Sequence, residues 1–527
     1  MMLFSMNLGQ ARVRLVLGGV ALAAGVLIAG CGSTYRPVVT PVTSSGPEAQ
    51  PSSYVIVVSA PSPTTPGVAT IIDYSGDTVL ALAPIGVGPE AFTIDEVGGN
   101  GYTINSDGTL SNFPISQSLQ AKQVEYSTLP STADPVNLFS PSFGLYAADL
   151  SGSLVDVFNG FPEAFKLSIP VATTPVMIIG SSATGQRDFA ISQNLAAPSG
   201  VECNNTPTAE PAGSADAFEL SSFTFSSNIP VGKCPVYAVE TPDNRRLLVM
   251  NRGDDTISVI NNQNNTQDTC TPFQNQNGQW VTCHPVLPLS QAGLKVAGAV
   301  PPPNCNIATN PTCGMPATAG PVYAESNAAT NQLVVADYDG GAISVIDMSG
   351  DEYGNDYNTY ANPSCTVNGV NSYANCGAIT GGFGTTYTIA VGNNPAAVTV
   401  LNDGSRAYAA NQTDQTVSIV TLSSHTVEKT LPVTGHPRTV VSTQNSQFGK
   451  VYVASPDSPF LTILRTDLDI VDTTVLVEGN TVDVRVTTQA GSGGNTNSVS
   501  RRPGYGQPCY LPGAANSATL AGCRTQP

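Results

Sequence analysis

The stretch Arg406–Ser442, RAYAANQTDQTVSIVTLSSHTVEKTLPVTGHPRTVVS, holds three short apolar runs, each closed by polar or turn residues, and then steps through Gly435-His436-Pro437 into a fourth. Each run is of strand length and rich in β-branched or aromatic residues, which is the signature of short strands joined by tight turns. The proline that opens the fourth run recurs at Pro89, Pro135, Pro175, Pro235, Pro321, Pro395 and Pro437. Proline is tolerated as the first residue of a strand, where its missing N–H costs no ladder bond. The run after each marker ends in Asn, Asp or Ser: Asn105, Asp149, Ser192, Asn251, Asp337, Asn411 and Ser455. These short polar side chains end a strand by bonding their own turn.

Successive markers are 46, 40, 60, 86, 74 and 42 residues apart. The short spacings define a unit of four strands, the length of a propeller blade. An all-β propeller is therefore expected over residues 54–489, with eight blades favoured and seven as the alternative. The chain begins its repeats on a second strand, and the last run, near Asn480 to Val486, lacks the proline and is left over. This last strand is expected to complete the first blade and close the ring, leaving no exposed sheet edge in the channel. The long spacings imply insertions at about 200–216, 262–320 and 349–386.

The unit resembles the YVTN-type β-propeller repeat, in which a strand ending in Asn, a turn, a TVSVID-like strand and a TIPVG-like strand precede the proline. "TVSIVT" at Thr416, "DTISVIN" at Asp255, "GAISVID" at Gly341 and "LNDGSRAYAAN" at Leu401 carry the likeness. It is good over 395–480, fair over 235–262 and 321–348, and rests on spacing over 54–192. The resemblance implies a propeller that binds or scaffolds. It also implies an alternative, since some such propellers resemble lactonases, with a site in the channel.

Residues 1–30 read as a targeting segment. Arg12 and Arg14 precede an apolar run from Leu15 to Ile28, too short for a comfortable membrane span. Leu27-Ile28-Ala29-Gly30-Cys31 resembles the bacterial lipobox, which implies cleavage before Cys31 and diacylglycerol on its sulfur; an ordinary secretory signal is the alternative. Gly32, where an inner-membrane retention signal would have Asp, favours the outer membrane. Residues 31–53 form a Pro/Ser/Thr-rich tether and 490–527 a low-complexity tail. The expectation is an exported, lipid-anchored protein of the cell envelope, with the membrane as one partner and a protein or envelope polymer as another.

The remaining ten cysteines fall in neighbouring pairs: Cys203 and Cys234, Cys270 and Cys283, Cys305 and Cys313, Cys365 and Cys376, Cys509 and Cys523. In an oxidising compartment disulfides are the first reading, and zinc the second, though no CxxC occurs. Most of these cysteines lie in the insertions, where local bridges would hold apolar-poor loops in place.

A net charge of −18 disfavours nucleic acid, whose phosphates it would repel. No GxSxG, HExxH or Walker motif occurs, so no catalytic residue and no cofactor is assigned. Asp347, Asp351, Glu352 and Asp356 form a weak candidate for Ca²⁺, at a spacing unlike an EF-hand, against the plainer reading of a solvated acidic loop. Arg252-Gly253-Asp254 falls on a repeat turn, as does Asp243-Asn244-Arg245-Arg246, and Trp280 reads as a local anchor. His436 stands where the other markers are preceded by Gly88, Asp134, Thr174, Cys234, Gly320 and Asn394, which argues for a strand-start residue near the channel mouth rather than a shared catalytic slot.

Overall fold

The computed structural model describes residues 53–487, apart from 96–97, 142–143, 160–163, 182–186, 196–210, 243–244, 269, 275–278, 284–285, 290–318, 349–365, 368–369, 372–385, 444–445 and 448. The chain forms an eight-bladed β-propeller of antiparallel blades. Blade 1 is built from both ends of the repeat region: strand Asn480–Val486 lies innermost and pairs with Tyr54–Ala60, followed outward by Pro66–Asp73 and Thr78–Val87. Blades 2 to 8 then follow in order, with innermost strands Pro89–Ile94, Pro135–Phe139, Pro175–Ser181, Pro235–Glu240, Pro321–Asn327, Pro395–Val400 and Thr439–Ser442. Eight blades are thus present, and the terminal strand closes the ring.

Each blade strand alternates side chains between its two faces, and both are covered by neighbouring blades, so inner and middle strands read as nearly continuous buried runs. Leu247, Leu248, Val249 and Met250 of blade 5 are all buried, as are Ala407 to Ala410 of blade 7. The outermost strands are exposed. One apolar core runs from blade 3 round to blade 8, with smaller clusters under blades 1, 2 and 8.

Blade 5 departs from the plan. Its third strand, Thr256–Asn261, is flanked by two short strands, Thr266–Gln267 and Val286–Pro288, in place of one outer strand. In blade 4 the third strand begins at Ala212, and in blade 6 the fourth is Thr386–Ala390. The long connections therefore all belong to three consecutive blades, 4, 5 and 6.

The ring has two faces. First-to-second and third-to-fourth turns lie on one; second-to-third turns and the steps between blades lie on the other, here the step face. Val55 pairs with Val486, and the Thr487 N–H donates to the Tyr54 carbonyl at 3.0 Å, so both ends of the ring leave together on the face opposite the step face.

Candidate functional site

The step face is built by a repeated device. The residue before the marker proline is left-handed in five blades, at Gly88, Thr174, Cys234, Gly320 and Asn394, with φ from 53° to 61°. Its carbonyl, and that of Asp134, accepts the N–H of the residue after the strand-ending Asn, Asp or Ser: Ser106, Leu150, Gln193, Arg252, Tyr338 and Gln412 donate at 2.9–3.0 Å.

Blade 8 cannot do this. Its residue after Ser455 is Pro456, which has no N–H to donate. There the left-handed residue is Gly435, at φ 72°, one position early, and strand pairing starts only at Thr439. His436 turns onto the neighbouring turn instead. Its N–H donates to Asp457 Oδ1 at 2.7 Å, its Nδ1 lies 2.7 Å from Asp457 Oδ2, and its Nε2 lies 3.1 Å from the Gln415 amide of blade 7. A carboxylate thus fixes the imidazole's orientation, with both side chains about one-fifth exposed. The sequence placed His436 at the strand start; it lies three residues before the strand Thr439–Ser442, and among the described steps only this one has such a ring clamp.

The second polar centre is the channel. Arg485 and Asp483 of blade 1 form a buried pair, Nη2 to Oδ2 3.0 Å. Tyr237 of blade 5 and Tyr323 of blade 6 lie with ring centroids 4.6 Å apart, beside Glu325. Burial pushes Tyr323 up to about 12, with Glu325 adding to the rise and Arg485 opposing it. Burial raises Tyr237 well above its usual range too, again against the pull of Arg485. The field of Arg485, on blade 1, thus acts on both phenols, which belong to blades 5 and 6. All five residues are at most 4% exposed, and Arg438 of blade 8 is fully buried. The phenols stay protonated at physiological pH.

The residues singled out from sequence meet varied fates. Arg252 is bound to Asp339 of blade 6 by two hydrogen bonds, 3.1 Å from Nε and 3.0 Å from Nη2, and Asp254 accepts the Lys233 N–H at 3.0 Å. The Arg-Gly-Asp turn is thus a seam between blades. Arg246 pairs with the buried Asp268 at 2.8 Å. Asp347 ends strand Ala342–Asp347 as the Cα partner of Gln332, whereas Asp351, Glu352 and Asp356 lie outside the described residues. Among the described residues no group of three or more His, Cys, Asp or Glu could hold a metal. His425 sits at a left-handed turn, stacked on Tyr387 at 3.8 Å, and burial lowers its pKa. The Cys270 and Cys283 Cα atoms are partners across a hairpin that also carries Trp280. Cys31, Cys203, Cys305, Cys313, Cys365, Cys376, Cys509, Cys523 and His284 lie outside the described residues.

Sequence reasoning missed the channel cluster. Its signal was present: "VDVRV" (Val482 to Val486), "VYAES" (Val322 to Ser326) and "HPRTV" (His436 to Val440) place charges inside runs whose counterparts in most other blades are apolar or neutral. In a chain with 11% charged residues, such positions stand out.

No protein-family model and no curated protein matches the sequence. Among solved structures the chain is similar to Citrobacter koseri AztD, at 10% identity over 82% of this chain and 97% of that one, with a TM-score of 0.49. It is similar to the dihydro-heme d1 dehydrogenase NirN, at 13% identity over 86% and 79%, with a TM-score of 0.49. A putative 6-phosphogluconolactonase from Bacteroides fragilis gives 15% identity over 84% and 99%, with a TM-score of 0.46. The assignment of eight blades rests on the strand pairing itself.

Proposed function

We propose that this protein is a lipid-anchored cell-envelope protein, of the outer membrane where the organism has one, whose YVTN-like propeller is a binding or scaffolding module. The observation that carries the reading is the exit of both ring ends on one face. A lipid on Cys31 would tether the ring from that side. The step face, which carries the oriented His436, is then turned to a partner. Loops on a rigid ring are where binding sites usually sit.

The export reading has support from cysteine: Cys234 is buried, and the Cα register of Cys270 with Cys283 suits a bridge. Burial of the channel's acidic and phenolic groups weighs against hydrolysis there.

Mass spectrometry of the mature N-terminus should find acylated Cys31, and Cys31→Ser should release the protein from the membrane fraction; an unmodified Met1 refutes the anchor. For the binding role, the Cys31→Ser ring is immobilised and challenged with envelope extract. A recovered partner that is lost when 290–318 is replaced by a short Gly/Ser linker supports the reading. Empty recoveries sink it.

A further inference from the structure

Blades 8 and 1 are joined by a buried ion pair that differs from those of other blades. Arg187, Arg246 and Arg406 open the second strands of blades 4, 5 and 7, and each pairs with a carboxylate. Blade 8 opens its second strand with Lys450 instead. Its Nζ lies 2.5 Å from Asp77 Oδ2 of blade 1, and the two side chains are only 6% and 8% exposed. A guanidinium stays charged and does not act as a nucleophile, whereas an amine that gives up its proton can attack a carbonyl carbon.

The pairing of blade 8 with blade 7 shows what this one lacks. There Asp469, the residue before the outer strand Ile470–Leu476, receives Arg406 Nη1 on Oδ2. The Tyr408 hydroxyl donates to its Oδ1 at 2.6 Å. Asp77 holds the same place before Thr78–Val87, and Tyr452 the same place as Tyr408, two residues after the cation that opens the strand. Yet Asp77 Oδ1 and the Tyr452 hydroxyl are both buried without a hydrogen bond. Tyr452 is fully buried in an apolar cluster with Ile72, Leu461 and Ile463. Burial, and then the charge of Asp77, raise its hydroxyl well above the usual range, so it remains a donor. Burial likewise raises Asp77 above its ordinary value although Lys450 opposes the shift, and Asp472 and Asp73 add to it. The protonated acid is favoured accordingly.

We propose that Lys450 and Asp77 condense to an amide bond that staples blade 8 to blade 1. The pair first moves one proton from Nζ to the Asp77 carboxylate, giving an amine and a carboxylic acid. Nζ then attacks Cγ. One C–N bond forms and one C–O bond breaks, and the departing hydroxyl takes a second amine proton and leaves as water. Nothing is oxidised or reduced, and no co-reactant is needed. With Nζ already 2.5 Å from a carboxylate oxygen, the carbon one bond further lies close to the roughly 3–3.5 Å of a near-attack geometry. By its place the Tyr452 hydroxyl is the donor on hand for the oxyanion formed on the way, as Tyr408 is for Asp469. The product exchanges two buried charges for one neutral group, which removes the desolvation cost of the pair. The bond joins residues 373 apart in sequence, so blades 8 and 1 stay linked even when the strand pairing that closes blade 1 opens.

The full chain is reduced, denatured and digested with trypsin and a protease that cuts after glutamate. Mass spectrometry should find one branched peptide, residues 49–90 joined to residues 439–465, lighter by one water than the sum of its parts and uncut after Lys450. Fragmentation should place the branch at Asp77. Lys450→Arg keeps a cation in the place where Arg406 pairs with Asp469, but it cannot form the amide. In that variant, and in Asp77→Ala, the branched peptide should be lost and the denatured chain should migrate more slowly on a gel. The digest of the unaltered chain decides the matter even if a variant fails to fold. Recovery mainly of the separate peptides 439–450 and 451–465 from the unaltered chain overturns the proposal. So does a branch at a residue other than Asp77, or one that persists in Lys450→Arg.

Discussion

Asp337→Asn is expected to stabilise the ring, by an amount that grows with pH. Asp337 is 1% exposed, and Ser344 Oγ donates to its Oδ2 at 2.6 Å. Its Oδ1 is buried without a hydrogen bond. Burial pushes its pKa from 3.8 to about 8, with Ser344 opposing and Asp255 adding. Between those two values the folded chain holds a proton that the unfolded chain has released. Stability therefore falls as pH rises from about 4 to about 8, then levels off. At about 1.4 kcal/mol per unit, the cost is about 2 kcal/mol at pH 5 and about 5–6 kcal/mol above pH 8. Asparagine is isosteric, carries no charge, and is what blades 2, 5 and 7 place in this slot. For a ring of roughly 430 residues, an unfolding entropy near 2 cal/mol/K per residue converts these to Tm gains of about 2 °C and about 6 °C. Asp156, raised to about 6 by burial, titrates in both proteins and cancels from the difference. The assay is thermal unfolding of both chains at pH 5 and pH 8.5. Equal gains at the two pH values, or a less stable variant at pH 8.5, would refute the reasoning.

Asn411→Ala should lower stability by about 1–3 kcal/mol, because its amide donates to Thr416 Oγ1 at 3.0 Å and Ser418 Oγ at 2.9 Å in a buried seam; urea titration checks this. Arg485→Met should cost roughly 3–5 kcal/mol by leaving Asp483 buried beside no cation of its own strand, and Arg485→Met with Asp483→Leu should recover most of it, as measured by the same titration. Deleting 480–527 removes the closing strand and should abolish near-ultraviolet circular dichroism, whereas deleting 490–527 should preserve it.

The ring was legible because its punctuation is local. A proline opens six of the eight inner strands and a short polar residue closes the strand after it, so strand lengths and blade count follow from residues a few positions apart. The unpaired last run then dictated closure. The purpose of the strand-ending Asn was less legible, because it acts between blades. Asn105, Asn251 and Asn411 each bond a Thr and a Ser of their own blade. That network also accepts the N–H of Gly86, Gly232 or Gly392, at the end of the preceding blade's outer strand, at 3.0–3.1 Å. A Cβ at Gly392 would lie 2.6 Å from Asn411 Cγ, so that close approach demands glycine. The channel cluster was harder still: Tyr237 and Arg485 are far apart in sequence, and no period links them.

Blade 8 shows how one residue changes a repeat's chemistry. In six other blades the N–H after the strand-ending residue holds the carbonyl before the marker proline, and the side chain at that step has no structural task in common. Pro456 removes the donor. The carbonyl of His436 loses its repeat partner, the left-handed turn moves back to Gly435, and the His436 N–H becomes available to Asp457. Backbone and ring nitrogen then share one carboxylate, so the same aspartate that repairs the step also orients the imidazole. The variety of residues in the equivalent slots therefore says nothing against a role for His436, since the slots are equivalent in alignment and different in backbone. The histidine's setting follows from a proline twenty residues away, through a hydrogen bond that this proline cannot make.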